Sequence, residues 1–303
     1  MVKPNLLLCF DAFGTLFRPK APAPQQYAEV ARQLGIVGFT DSELLTTLKA
    51  AIKNESAKNP NYGKATGLGA TQWWTNVIHN TFTPFLKNDH VLPKGLAPKL
   101  LHRFSSNEGY DTEPNLAMTL KALKQQHAQG RYGRIVVGVV TNSDDRVPSI
   151  LSSFGLKVSP LRYGTDFDAN TVVRWDYDID FHCMSYDAGV EKPDKLIFNA
   201  AELMLAQIIA MRDGKSPAEA KASIESWRKV YVGDEYAKDV VGSRQAGWHS
   251  VLLDADNQST NIPNLKDHSA KTIDGLFNDH SVVRVRSIRE LTTWLLGENQ
   301  ATA

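Results

Sequence analysis

The first short apolar run, LLLCF at residues 6–10, leaves no polar side chain to turn toward water. A strand with that pattern is covered on both faces. Asp11 then falls at the strand's carboxyl end, the edge where open parallel sheets gather their ligand-binding groups. Gly14 permits a sharp turn just beyond it. After Leu16 the rhythm changes. The proline-rich stretch FRPKAPAP at 17–24 continues neither a strand nor a helix. From 25 to 107 the spacing is helical. It predicts a helix over 27–34 and a second opened by the capping box Thr40-Asp41-Ser42-Glu43, with Leu44, Leu45, Leu48 and Ile52 on one face. Two more are predicted over 71–86 and 96–104. Trp73 and Trp74 are adjacent on one helix, point in different directions, and read as packing among these helices.

Beyond Asp111 strands and helices alternate. Strands are predicted over 134–140, 181–184, 230–232 and 250–253, and helices over 116–127, 146–154, 195–211, 239–246 and 288–296. That alternation argues for a parallel sheet covered on both faces, an α/β fold with an all-helical insert after its first strand. Two stretches break the rhythm. Residues 159–180 are polar and aspartate-rich and read as a hairpin or long loop. The run 166–180 lacks the turn glycine and closing glutamate of a calcium loop. Ser216-Pro217-Ala218-Glu219 starts an extra helix, with a cap, a first-turn proline and a glutamate three residues on.

Composition narrows the class. Across 303 residues, 42% apolar and 22% charged positions are those of an ordinary globular protein. A formal charge of +1 gives no reason to expect nucleic acid or an anionic membrane as a partner. No segment approaches the roughly 20 apolar residues of a membrane helix, and neither end reads as an address. The two cysteines, Cys9 and Cys183, fall inside predicted buried strands and read as small core residues of a reducing compartment. The expected setting is intracellular, in cytoplasm or nucleus. Oligomeric state is not legible.

Three polar motifs follow strands in the second half: Thr141-Asn142-Ser143, Glu191-Lys192-Pro193, and Gly233-Asp234-Glu235 with Asp239 five residues after Asp234. Taken singly they have plain structural readings, as helix caps, a turn aspartate and a solvated loop lysine. A parallel sheet, however, brings all of them to the edge that carries Asp11, and that convergence argues for an active site. Their chemistry is mutually consistent. Asp11 would attack an electrophilic phosphorus or carbon. Thr141 and neighbouring backbone N–H groups would hold transferring oxygens. Lys192 would neutralise charge on nucleophile and substrate. Asp11 and Asp234 suit magnesium. Asp239 would hold Lys192 or join the ion's outer shell.

Asp11-Ala12-Phe13-Gly14-Thr15-Leu16 and the three later motifs together resemble the four motifs of the haloacid dehalogenase-like hydrolase superfamily. The resemblance spans nearly the whole chain. It implies a Rossmann-like core over 1–18 and 108–303, with an all-helical cap over 19–107. It also implies a magnesium-dependent hydrolase with an aspartyl-enzyme intermediate, most often a phosphatase acting on a small phosphorylated molecule. Carried over, Asp11 is the nucleophile. Thr141 and Asn142 hold phosphate, and Lys192 clamps charge. Asp11, Asp234 and the backbone carbonyl of Phe13 ligate the metal. Gly14, Ser143, Glu235 and Asp239 support them. One position departs from the family pattern. Phosphatases of the family usually carry a second aspartate, as general acid and base, where this chain has Phe13; haloacid dehalogenases place an aromatic residue there, and halide leaves without a proton. Loss of such a group costs about 10²- to 10⁴-fold in rate. Three readings follow: a phosphatase for substrates with good leaving groups, a weakly active or inactive protein that binds a phosphorylated ligand, and a 2-haloacid dehalogenase.

Overall fold

A computed structural model describes residues 3–86, 91–125, 130–165 and 176–297. The strands are β1 (Asn5–Phe10), β2 (Phe17–Pro19), β3 (Tyr110–Thr112), β4 (Ile135–Thr141), β5 (Phe181–Met184), β6 (Trp227–Gly233), β7 (His249–Leu253) and β8 (Val282–Val285). Six of them form one sheet in the order β5-β4-β1-β6-β7-β8, and every neighbouring pair runs parallel. β2 and β3 form a separate two-stranded ribbon. The expected α/β fold, a parallel sheet with flanking helices, is observed.

The sheet is buried because its strands are apolar on both sides. On one face Leu7, Cys9, Val136, Val140, Phe181 and Cys183 pack with Ile197, Phe198, Ala201, Met204, Leu205 and Ile208 of the helix Lys195–Asp213. That helix is opened by the Asp194 side chain, which accepts the Leu196 N–H. Leu6, Leu8, Phe10, Val137 and Val139 point to the opposite face and are equally buried. The helices Leu116–Lys124 and Ile288–Leu296 pack there. Cys9 and Cys183 are free, buried thiols as expected, and burial pushes both well above the ordinary thiol range.

By its contacts the chain forms two compact units, one of residues 1–17, 112–143 and 155–303, the other of residues 18–111 and 144–154. The second unit therefore includes a segment that the sequence reading assigned to the core. Its reason is local. The Asp144 carboxylate accepts Trp74 Nε1–H at 2.7 Å and a two-pronged guanidinium contact from Arg146, which also lies over the Trp74 ring at 4.5 Å. Burial alone would raise the Asp144 carboxyl, but Arg146 holds it below the usual carboxylate range. Within the same unit the Thr40–Glu43 capping box forms as predicted and starts the helix Asp41–Lys58. Trp73 is buried, donates to the Asn59 carbonyl, and meets Trp74 edge to face.

The predicted helix over 239–246 is instead a π-helical turn, Tyr236–Val240, running into Val241–Gln245. β8 and the helix Ile273–Asp279 were not expected, nor was the short helix Ser185–Ala188. The Ser216–Glu219 capping box is present and opens Pro217–Ser223. The acidic run 166–175 and the end of the predicted helix at His127 lie outside the described residues. No helix among the described residues is long and apolar enough to cross a membrane.

His182 on β5 is buried, and its Nδ1 has no hydrogen-bond partner among the described residues. Burial first, with nearby Arg162, lowers its pKa from 6.5 to about 4. Between those values the unfolded chain binds the extra proton, so stability is complete above pH 6.5 and falls as pH drops toward 4. The loss is about 3 kcal/mol. Urea unfolding from pH 7 to 4 should show this slope, and His182→Leu should flatten it. Equal slopes for both proteins would contradict the burial argument.

Candidate active site

β1 lies between β4 and β6, and register sets the site. Phe10 pairs with Val139 on one side and Val232 on the other. Asp11, Val140 and Gly233 are therefore level, and Thr141 and Asp234 lie one step beyond. The Asp11 N–H completes the ladder onto the Val232 carbonyl at 2.9 Å. The chain then turns tightly. Leu16 and Phe17 donate their N–H groups to the Ala12 carbonyl, and Gly14 donates to Phe17. Gly14 has φ +83°, and a Cβ there would lie 2.2 Å from Asp234 Oδ2. Only glycine lets this loop approach that carboxylate. Thr15 then reaches it, donating its hydroxyl to Asp234 Oδ1 at 3.0 Å.

Asp239 returns to the same spot through the π-helical turn. Its Oδ2 accepts the Glu235 N–H at 2.9 Å, and its own N–H donates to the Glu235 carbonyl at 2.7 Å. Gly233 is required beside it, since a Cβ there would meet Asp239 Oδ2 at 2.2 Å. Ligand oxygens of Asp11, Asp234 and Asp239 all lie within 4.8 Å of one another.

Lys192 enters this cluster from the loop after β5, and the Lys192–Pro193 peptide is cis. The Asn142 amide grips its backbone twice, Nδ2 donating to the Lys192 carbonyl at 3.0 Å and Oδ1 accepting the Lys192 N–H at 2.7 Å. The ammonium is almost fully buried. It lies 2.7 Å from Asp239 Oδ1, 2.8 Å from Asp11 Oδ1 and 2.8 Å from the Tyr231 hydroxyl. Only the contacts to Asp239 and Tyr231 are in line for hydrogen bonds; the Asp11 contact is ionic and off-line. Burial, with Asp11 and Asp239 nearby, holds the Tyr231 hydroxyl well above its usual range. It therefore keeps its proton, which it donates to the Val140 carbonyl at 2.7 Å. Burial also raises the Asp234 carboxyl, against the Thr15 hydrogen bond and with help from Asp239.

Three carboxylates against one ammonium leave a formal charge of −2, with Asp11, Asp239 and Lys192 buried and Asp234 open to solvent in part. An uncompensated buried charge costs several kcal/mol. Hard oxygen donors around an excess of negative charge fit a divalent cation such as magnesium. Asp239 has both oxygens engaged, which leaves Asp11 and Asp234 as the better-placed donors.

The structure thus gathers Asp11, Lys192, Asp234 and Asp239, with buried Thr141 at the end of β4 beside them. Asn142 sits differently from its expected role, and Glu235 and Ser143 give their support through the backbone. The Asn142 side chain is occupied by the backbone of Lys192, so it positions that residue. The Glu235 side chain forms an exposed pair with Lys238, and only its N–H serves the cluster. The Ser143 carbonyl accepts the Tyr186 N–H and so ties this loop to the start of the helix Ser185–Ala188. Phe13 packs edge-on against Phe17, ring centroids 4.8 Å apart. Thr15 and Tyr231 were missed. A hydroxyl four residues past the nucleophile and a tyrosine between Val230 and Val232 were the available signals.

No protein-family model matches the chain. It is 29% identical over 249 residues to an uncharacterized hydrolase of Schizosaccharomyces pombe, covering 82% of this chain and 90% of that protein. To haloacid dehalogenase-like hydrolase domain-containing protein 3 of Danio rerio it is 29% identical over 273 residues, covering 88% and 93%. Over most of its length the chain is thus similar to haloacid dehalogenase-like hydrolases. Solved structures of the same fold include an L-2-haloacid dehalogenase, with TM-score 0.55 and 14% identity over 97% of this chain and 99% of that one. Another is the 2-haloacid dehalogenase from Pseudomonas syringae pv. tomato DC3000, with TM-score 0.53 and 17% identity over 97% and 98%.

Gly14→Ala should destabilise the protein more than Gly247→Ala. Both glycines have positive φ, but a Cβ at Gly247 meets nothing within 4 Å. The open site should cost about 1–2 kcal/mol for conformation alone, and Gly14 that amount plus displacement of Asp234. Equal urea midpoints would show that the close approach of this loop to Asp234 is not tight.

Proposed function

We propose that this hydrolase is a magnesium-dependent phosphatase for small phosphorylated molecules with good leaving groups, acting through an aspartyl-phosphate at Asp11. The observation that carries the reading is the excess of carboxylates over ammonium in the cluster, which a divalent cation cancels and a lone lysine does not. Asp11, Asp234 and the Phe13 carbonyl are the groups that would hold magnesium, which when bound supplies electrophilic activation of the phosphoryl group. An Asp11 oxygen forms a bond to phosphorus while the bond to the leaving-group oxygen breaks, the electron pair departing with that oxygen. Water then attacks phosphorus, releasing phosphate and regenerating the carboxylate. Lys192 offsets the repulsion between anionic nucleophile and anionic substrate. Thr141 and adjacent N–H groups are assigned to the phosphoryl oxygens.

Phe13 supports the restriction to good leaving groups. It offers no proton where one is needed, and its ring is packed on Phe17 rather than standing in for an acid. The same ring favours a second reading, carbon–halogen hydrolysis, since halide leaves unprotonated. Against that reading stands Asp234, clamped by Thr15 beside Asp11, which would repel an anionic haloacid. The charge and sequence patterns offer no support for nucleic acid or membrane partners.

Initial rates on aryl, acyl and alkyl phosphates, with and without magnesium and with a 2-haloacid control, separate these readings. Aryl and acyl phosphates should turn over only with magnesium and far faster than alkyl phosphates. Phe13→Asp should raise the alkyl rate, by up to about 10²-fold. Equal wild-type rates on aryl and alkyl phosphates would refute the missing-acid argument. Metal-independent release of halide would establish the second reading instead.

A further inference from the structure

Lys192 has a third partner that the charge-clamp reading does not require. Tyr231 sits on β6 with no solvent exposure, beside Cys9 of β1 in the ladder. Its ring is held edge-on by Phe198, centroids 5.0 Å apart. Its hydroxyl accepts a hydrogen bond from Lys192 Nζ at 2.8 Å and donates one to the Val140 carbonyl at 2.7 Å. Val140 precedes Thr141. One buried hydroxyl therefore joins the charge clamp to the backbone that carries the residue assigned to the phosphoryl oxygens.

The geometry requires such a contact. The lysine side chain is long and flexible, and each of its three protons must find an acceptor inside a desolvated pocket. Asp239 holds Nζ from one side and Asp11 faces it from another. With those two alone the ammonium is free to swing about the line between the carboxylates. A third acceptor, neutral and rigidly packed, fixes Nζ without adding charge. A carboxylate in its place would deepen the excess negative charge, and an aliphatic residue would leave a donor unpaired.

We propose that Tyr231 is a positioning residue for phosphoryl transfer: it orients the Lys192 ammonium toward the Asp11 oxygens and the incoming phosphoryl group. This rests on the reading of Asp11 as the phosphorylated group, and the following experiment tests the two apart. Beryllium fluoride with magnesium mimics a phosphoryl group on an aspartate, so its affinity measured by calorimetry reports the clamp without any turnover. Wild type should bind and Asp11→Asn should not. Tyr231→Phe keeps the ring contact with Phe198 and should retain magnesium affinity while weakening beryllium fluoride about tenfold, as expected for a lost hydrogen bond to a charged group. Lys192→Met should weaken it further, and adding Tyr231→Phe to Lys192→Met should change nothing more. Phe198→Leu, which loosens the ring but spares the hydroxyl, should lower the unfolding midpoint with beryllium fluoride affinity kept.

Wild-type protein that fails to bind beryllium fluoride with magnesium would overturn the aspartyl-phosphate reading, and the inference with it. Wild-type binding with unchanged affinity in Tyr231→Phe would overturn the inference alone. Additive losses in the double variant would do the same, because Tyr231 would then act independently of Lys192. A Tyr231→Phe protein that loses both magnesium binding and cooperative unfolding would show that the hydroxyl holds the sheet rather than the clamp, and would also overturn it.

Discussion

The ammonium of Lys192 is the group on which the site depends. It is buried between Asp11 and Asp239, at 2.8 and 2.7 Å, where it offsets the charge of both carboxylates. Its own burial is tolerable only because its acceptors are already in place. The elements around it serve that requirement. The Asn142 amide fixes the Lys192 backbone, the π-helical turn returns Asp239 to the strand end, and Tyr231 supplies a neutral acceptor. One positive charge still leaves the cluster negative, an arrangement that a divalent cation would balance.

Sheet register makes this constellation possible. Parallel pairing of β4, β1 and β6 places Asp11, Thr141 and Asp234 within one step of each other, although they are far apart in sequence. The two glycines that matter act by omission. Gly14 and Gly233 each leave room for a carboxylate that a Cβ would displace. A loop of this compactness can present a nucleophile, but its two-residue spacing after Asp11 is filled by a ring packed on Phe17. The site is thus built for charge and lacks a proton donor at that position.

Much of this was legible in the chain. β1, β4 and the helix Ile288–Leu296 stand out because their periodicity and burial agree, and the four polar motifs could be placed because each follows an apolar run. β8 was missed because Val282–Val285 is short and interrupted by Arg284. That guanidinium is buried in the fold, where it donates to the Ile262 carbonyl and to Asn257. A charge inside a strand is invisible as a strand until its partners are known. Segment 144–154 misled for a similar reason, since the tie of Asp144 to Trp74 spans 70 residues and local pattern carries no trace of it. Asn142 was found at the right place with a different task, because motif position does not reveal which atom of a residue is used. Tyr231 falls within the predicted strand 230–232; its ring is a core side chain, and only its hydroxyl is more.

The central claim is that Asp11, held beside Lys192, becomes covalently phosphorylated. Rapid quenching of the protein during turnover of an aryl phosphate with magnesium, followed by peptide mass spectrometry, tests it most directly. One phosphoryl group is expected on the peptide containing Asp11, discharged by hydroxylamine and absent from Asp11→Asn. Steady turnover with no such adduct, or an adduct on any other residue, would contradict the account.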